Sequence, residues 1–358
     1  MTETPLLSDL SLNQSENKSN STICPDLKEW WEIVYYIVPK YIDTICVIGM
    51  LGNIFVLLTY SLHKSPLKIA EIYLMNLAVA DLIFLMCLPF WAENIRNEFN
   101  WPFGNFLCRS TSASIRLNMY TSIYLLVAVS VDRYFTFVHT LNHRDIRSKT
   151  MAKRICLLTW LFGILLSVPT FMFRTVQHFP VWNISACTLD FPTPSWVSAE
   201  RLVFNIVGFA LPSTAIVFLN FSTIHSLEKN ARECRALRTK EQKDTKATRL
   251  IFTVVFMFLL CWTPYHIFVF FDILHQTEMI KGCFWEELLN FGEQFGYTLA
   301  TTNSCINPVI YVFVGKYFRQ KALEVFSQLI PCGFPLNWVS FKEQSSYFNV
   351  FPVRSSLT

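Results

Sequence analysis

Asp81 stands midway along an apolar run, in Asn76-Leu-Ala-Val-Ala-Asp81, where an isolated carboxylate is costly. Two further pairs, Asn118 with Ser122 and Asn303 with Asn307, are each four residues apart within other apolar runs. On a helix that spacing puts both members on one face. Together the five offer oxygen ligands with a single full charge, a set suited to a hard cation, and sodium is the ion expected. A hydrogen-bonded polar seam between helices is the competing use of the same residues.

Two arginines raise a similar question. Arg133 follows Asp132 and precedes Tyr134 at the end of a long apolar stretch, and Arg116 lies inside that stretch. A guanidinium keeps its charge at any physiological pH, so Arg116 needs an anion or water. Glu200 or Glu93 could supply one; so could an incoming carboxylate, held by two parallel hydrogen bonds. No loop shows a metal-ligand cluster or a nucleophile–base spacing, so an enzymatic role is not expected.

The elements that must hold these groups are apolar. The chain has 358 residues, of which 52% are hydrophobic and 16% charged, whereas soluble domains are about one quarter charged. The apolar residues fall into seven blocks, roughly 33–60, 69–94, 105–138, 151–173, 198–226, 248–275 and 285–314. At 1.5 Å per residue each can cross a hydrocarbon layer about 30 Å thick. The spacing predicts an all-α membrane protein, a seven-transmembrane helix bundle with a short amphipathic eighth helix. Residues 1–32 form the outer tail, 33–315 the bundle, 316–331 the amphipathic helix and 332–358 a disordered cytoplasmic tail. Composition alone leaves a channel, a transporter or a membrane enzyme open.

Orientation follows from Lys and Arg, which concentrate in cytoplasmic loops. They cluster at 227–249, at 144–154 and after block seven, which puts the N-terminus outside. Residues 1–29 lack the apolar core of a cleavable signal, so block one is expected to direct its own insertion. Asn13, Asn17, Asn20 and Asn183 head glycan acceptor triplets on the predicted outer side. Cys24, Cys108, Cys187 and Cys283 also lie outside, in oxidising surroundings, and can form two bridges; three pairings are open. Cys332 follows the basic amphipathic run and is a palmitoylation candidate. Pro89, Pro169, Pro212, Pro264 and Pro308 each remove a helix hydrogen bond, and a kink at Pro264 beneath Trp262 would make a hinge.

Taken in order, the blocks carry Gly52-Asn53, Asn76 to Asp81, Asp132-Arg133-Tyr134, Trp160, Pro212, Cys261-Trp262-Thr263-Pro264 and Asn307-Pro308-x-x-Tyr311. Over residues 33–330 this resembles the rhodopsin-like (class A) family of G-protein-coupled receptors. From Cys108 to Arg133 is twenty-five residues, about 38 Å of helix, which carries Arg133 to the cytoplasmic boundary. The resemblance implies a plasma-membrane receptor for which a heterotrimeric G protein is the partner. It implies that Arg133 pairs at rest with Asp132 and with Asp244 at the base of block six. Activation would then swing block six outward, with Trp262, Pro264 and Tyr265 as the switch and Asn307, Pro308 and Tyr311 in the coupling set. One departure is Asn220, where many relatives carry a Tyr that supports the arginine in the active form.

The ligand is narrowed by what is missing. Thr301 replaces the retinal lysine of opsins, and Ile115 replaces the aspartate of amine receptors. Glu93, Glu98, Glu200, Asp272, Glu278, Glu286, Glu287 and Glu293 make an acidic outer mouth that would concentrate cations. Asp272 lies ten residues beyond Trp262, about 15 Å up the helix, so a ligand touching both is a peptide of several residues.

Within the family, Pro89 to Gly104, Gly282-Cys-Phe-Trp-Glu286, Ile72 and Val312 are similar to kinin (bradykinin-type) receptors. That resemblance implies a short basic peptide ligand, Gq-class coupling to phospholipase C and calcium, and a ligand arginine facing Asp272. Asn290 stands where kinin receptors carry a second acid, and Glu293 one turn on is expected to replace it. A base at Arg116 resembles the subtype that prefers peptides lacking the last arginine. Trp91, Glu93, Ile115, Arg116, Glu200, Asp272, Glu293 and Tyr297 are the candidate peptide contacts. The hydroxyl-rich tail suits receptor kinases and arrestin. Membrane lipid is a partner and nucleic acid is not. An angiotensin- or chemokine-type peptide receptor, or a non-signalling peptide scavenger, fits the same charges less closely.

Overall fold

The computed structural model describes residues 28–138, 148–181, 183–233 and 238–329. Four long helices open the chain: α1 (Lys28–Leu62), α2 (Ile69–Arg96), α3 (Gly104–Phe137) and α4 (Lys149–Phe173). A hairpin follows, β1 (Arg174–Phe179) and β2 (Ile184–Leu189). The fifth crossing is α5 (Pro194–Asn205), a π-helical turn (Ile206–Ala210) and α6 (Leu211–Glu233). The sixth is α7 (Arg238–Gln276), and the seventh is α8 (Cys283–Thr301) with α9 (Asn303–Phe313). The amphipathic α10 (Lys316–Leu329) completes the described chain.

Six of these crossings are long and apolar enough to span a membrane by length and composition. The seventh is cut at Thr302, and Glu286, Glu287 and Glu293 on α8 dilute its apolar character. Its irregularity has a local cause. Pro308 cannot donate to the carbonyl of Ser304, and the freed oxygen instead takes Asn53 Nδ2 from α1 at 2.8 Å. Asn53 Nδ2 also reaches Gly49 O at 2.9 Å, so one amide ties two crossings together. A Cβ on Gly52 would lie 2.8 Å from Pro308, which explains the glycine beside Asn53: the helices approach too closely for a side chain. Pro212 is accommodated differently, the π turn just before it absorbing the lost hydrogen bond.

The third crossing forms the axis of the bundle. Met119, Tyr120, Ile123 and Leu125 of α3 are fully buried, whereas Leu157, Leu158, Leu161 and Leu165 of α4 are exposed, as a lipid-facing surface requires. The opposite face of α4 packs inward through Ala152, Cys156, Thr159 and Gly163, and Trp160 Nε1 donates to Asn76 Oδ1 of α2 at 3.0 Å.

The hairpin was not foreseen from the periodicity. It pairs antiparallel from Arg174 opposite Leu189 to Phe179 opposite Ile184. A disulfide joins Cys108 at the outer end of α3 to Cys187 on β2, Cα atoms 5.7 Å apart, which selects one bridge from the open pairings. Further ties come from Trp101 N to Ser185 O at 2.7 Å and from Val176 N to Asn105 Oδ1 at 2.7 Å. These bonds fix the hairpin over the mouth of the bundle. Cys283 is also disulfide-bonded; Cys24 lies outside the described residues. At the other surface, Lys321 of α10 meets Glu71 of α2 at 2.8 Å and His63 meets Glu324 at 2.8 Å. The amphipathic helix is thereby held against the bases of α1 and α2.

Candidate functional site

Beneath the hairpin lies a cleft lined by Arg116, Arg174, Glu200, Arg201, Tyr265 and Glu293, among others. Its free volume is about 20 Å³, room for little more than one water. The charges fill it by pairing with one another. Arg116 Nη2 lies 3.0 Å from Glu200 Oε1, and its guanidinium stacks 3.6 Å above the ring of Phe204. Arg201 pairs with Asp272 and lies 3.4 Å from Glu293 Oε1. Arg174 is buried and donates to Cys187 O at 2.7 Å. Its pKa is pushed down to about 10, first by burial and then by the neighbouring Arg116 charge.

The sequence candidates sort unevenly in space. Arg116, Glu200, Asp272 and Glu293 come together, and Glu200 is the internal partner that Arg116 finds. Glu93 is engaged on the surface by Arg96 and by Asn97. Arg174, Arg201, Phe204 and His266 were missed. Arg201 was legible, since it directly follows Glu200 within a membrane block. Arg174 was not, because only the hairpin turns it inward. His266 sits one residue past Tyr265, packed face to face on Phe204 and Phe209 and held by Asn205 at 2.9 Å.

Below the cleft, rings carry contact downward. Trp91 meets Tyr297 at 5.9 Å between centroids, Tyr297 meets Tyr265 at 6.2 Å, and Tyr265 meets Trp262 at 6.3 Å. Ile115 is buried beside this group on α3. Trp262 continues to Phe258 at 6.0 Å, with Pro264 inside the same helix. A shift of a ring at the top is therefore passed down this chain of ring contacts to Trp262, two residues from Pro264.

At mid-depth Asp81 is fully buried. It accepts from Asn118 Nδ2 at 3.0 Å, Ser304 Oγ at 2.8 Å and Asn307 Nδ2 at 3.0 Å. Ser304 is an addition to the sequence set. Ser122 and Asn303 lie one turn along from Asn118 and Asn307 rather than on the carboxylate. Ser122 Oγ, Asn303 Oδ1 and Asn307 Oδ1 are buried without a hydrogen-bond partner. Orphaned buried oxygens beside a carboxylate are the donor set a hard cation requires.

At the cytoplasmic end Arg133 Nη2 donates to Asp132 Oδ2 at 2.8 Å, and both side chains are buried. Tyr311 is fully buried and packs 5.9 Å from Phe318 at the start of α10. Asn220, at the position of the missing tyrosine, is also buried. Asp244 falls within α7, but its side chain is outside the described residues. So are Asn13, Asn17, Asn20 and Cys332, while Asn183 is exposed at the hairpin turn, open to modification.

A chain with this bundle, this buried arginine pair and a charged outer cleft has the architecture of a membrane receptor. Residues 52–311 match the sequence model of the 7 transmembrane receptor (rhodopsin family). The chain belongs to that family. It is 46% identical over 323 residues to the B1 bradykinin receptor of Homo sapiens, covering 89% of this chain and 91% of that one. The B1 bradykinin receptor of Sus scrofa is 42% identical over 344 residues, covering 94% and 97%. That of Canis lupus familiaris is 44% identical over 324 residues, covering 90% and 91%. By this similarity the protein is a G-protein-coupled receptor of the bradykinin-receptor type, a multi-pass plasma-membrane protein and a signalling receptor rather than an enzyme.

Proposed function

We propose that the protein receives a short basic peptide of the kinin type at the cell surface and couples mainly to the Gq class, phospholipase C and calcium release. The observation that carries the reading is the cleft beneath the hairpin, where three arginines face three acids. Arg116 pairs with Glu200, and Arg201 with Asp272 and Glu293. A peptide that brings both a guanidinium and a terminal carboxylate can exchange into these pairs with no charge left uncompensated, which is the condition for burying ions cheaply. Its arginine takes Asp272 and Glu293, and its carboxylate takes Arg116. Trp91, Ile115 and Tyr297 form the apolar floor under the peptide.

Insertion of the peptide presses on Tyr265 and Trp262 and opens α7 at Pro264. The pair Asp132–Arg133 then parts, and the G protein enters the cytoplasmic cleft beside Asn307, Pro308 and Tyr311. Asp81, Asn118, Ser122, Asn303 and Asn307 would hold a sodium ion, whose charge would neutralise the buried carboxylate and favour the resting form. Receptor kinases and arrestin act on the C-terminal tail.

The test is calcium release in cells expressing the receptor, against a panel of kinin, angiotensin and chemokine peptides. The expected result is a response to kinins alone. A response to angiotensin or chemokines would replace the ligand assignment, and peptide uptake without nucleotide exchange would make the protein a scavenger.

A further inference from the structure

Six residues, His63 to Lys68, join α1 to α2 at the cytoplasmic surface. Lys64, Ser65 and Pro66 are exposed there. A residue before proline is pushed out of the helical region into an extended form, and Lys68 is extended as well, at φ −79° and ψ 160°. Proline also offers no N–H to a partner at its position. Ser65-Pro66-Leu67-Lys68 thus presents an exposed hydroxyl, a proline directly after it and a cation three residues on. Thr4, Ser65, Thr193 and Thr263 are the hydroxyl residues that precede a proline in the chain. Thr4 and Thr193 belong to the outer side and Thr263 to the sixth crossing, so Ser65 alone of the four faces the cytoplasm.

We propose that Ser65 is the substrate of a proline-directed protein kinase, and that its phosphate releases α10 from the bases of α1 and α2. In the transfer, Ser65 Oγ bonds to the γ-phosphorus of ATP as the bond to the β,γ-bridging oxygen breaks. The hydroxyl proton passes to the kinase's base, and ADP leaves. The product carries about two negative charges at neutral pH. The loop that receives them is bonded to α10. Ser65 N donates to His63 Nδ1 at 3.1 Å, which leaves Nε2 to carry the ring hydrogen toward Glu324 Oε2 at 2.8 Å. Glu71 Oε2 accepts from Lys68 N and pairs with Lys321 of α10, each at 2.8 Å. Lys68 Nζ also lies 4.2 Å from the ring centroid of Tyr317 on α10. A phosphate on Ser65 competes with Glu324 for His63 and with Tyr317 for Lys68, and its charge repels Glu71 and Glu324. The ties that hold α10 are thereby weakened together.

The full-length receptor in phosphatidylcholine nanodiscs, incubated with a purified cyclin-dependent kinase and ATP, tests this. Phosphopeptide mapping by mass is expected to find one phosphate, on Ser65. Labelling should vanish in Ser65→Ala and fall at least tenfold in Pro66→Ala, at an exposed position outside the helices. Amide hydrogen exchange along Lys316–Leu329 should speed up at least threefold on phosphorylation, and stay unchanged when Ser65→Ala receives the same treatment. Absence of phosphate on Ser65, or undiminished labelling in Pro66→Ala, overturns the assignment of the site. Exchange that is constant or slower in fully phosphorylated receptor overturns the release of α10. None of these readouts depends on which peptide the receptor recognises.

Discussion

Arg201 on α5 holds Asp272 on α7 and reaches Glu293 on α8, so one guanidinium links three crossings across the peptide cleft. The acid expected to meet a ligand arginine already has one from the chain itself. On the proposed reading, binding is an exchange of partners, and its strength is the difference between two partly buried ion pairs.

Replacing Asp272 by Ala removes the acid from both pairs. Truncating one member of a buried charge pair costs about 2–5 kcal/mol, so affinity for basic peptides is expected to fall at least tenfold in radioligand displacement. Unchanged affinity would show that the ligand arginine goes elsewhere.

Arg116→Ser leaves Glu200 without its 3.0 Å partner and removes the base proposed to meet a terminal carboxylate. Preference is expected to shift toward kinins that keep the last arginine, read as the ratio of affinities for the two peptide forms. A constant ratio would remove Arg116 from subtype selection.

Arg133→Ala acts at the opposite end of α3. Peptide affinity should stay within a few fold while ligand-induced nucleotide exchange disappears. Normal exchange would mean that the Asp132–Arg133 pair, although buried, is only structural.

Asp81→Asn keeps the shape of the mid-bundle site and deletes its only full charge. Agonist affinity is expected to fall as sodium replaces a large organic cation in the wild type and to be insensitive to that exchange in the variant. Sodium sensitivity that persists in the variant would leave a polar seam as the function of these residues.

Gly296→Ala tests packing alone. A Cβ there would lie 2.6 Å from the Cα of Tyr265, and backbone cannot yield as a side-chain tip does. Overpacking of this kind costs about 1–3 kcal/mol, so the variant should unfold at a lower temperature in a thiol-reactive dye assay. An unchanged melting temperature would show that α8 moves freely against α7.

Much of the site was legible because charge and hydroxyl groups are conspicuous in apolar blocks. Asp81, Asn118 and Asn307 converge, although Ser122 and Asn303, the other members of the four-residue pairs, do not reach the carboxylate, and Arg133 lies near the far end of α3 from Cys108 as the helical rise required. Ser304 escaped notice because a serine in a helix has many uses, and only its 2.8 Å approach to Asp81 distinguishes it. The hairpin escaped because its six-residue strands carry no long periodicity.

By itself the amino-acid order determined the crossings, their orientation and the ordered motifs, since each depends on local hydropathy, helical rise and the sign of loop charges. Pairing lay beyond it. Which acid holds Arg116, which cysteine meets Cys108, and that Arg174 and Arg201 share one cleft were decided by tertiary structure. Ion pairs and disulfides depend on distances of a few ångströms between residues far apart in the chain, 79 positions for Cys108 and Cys187 and 84 for Arg116 and Glu200, and no local pattern encodes those.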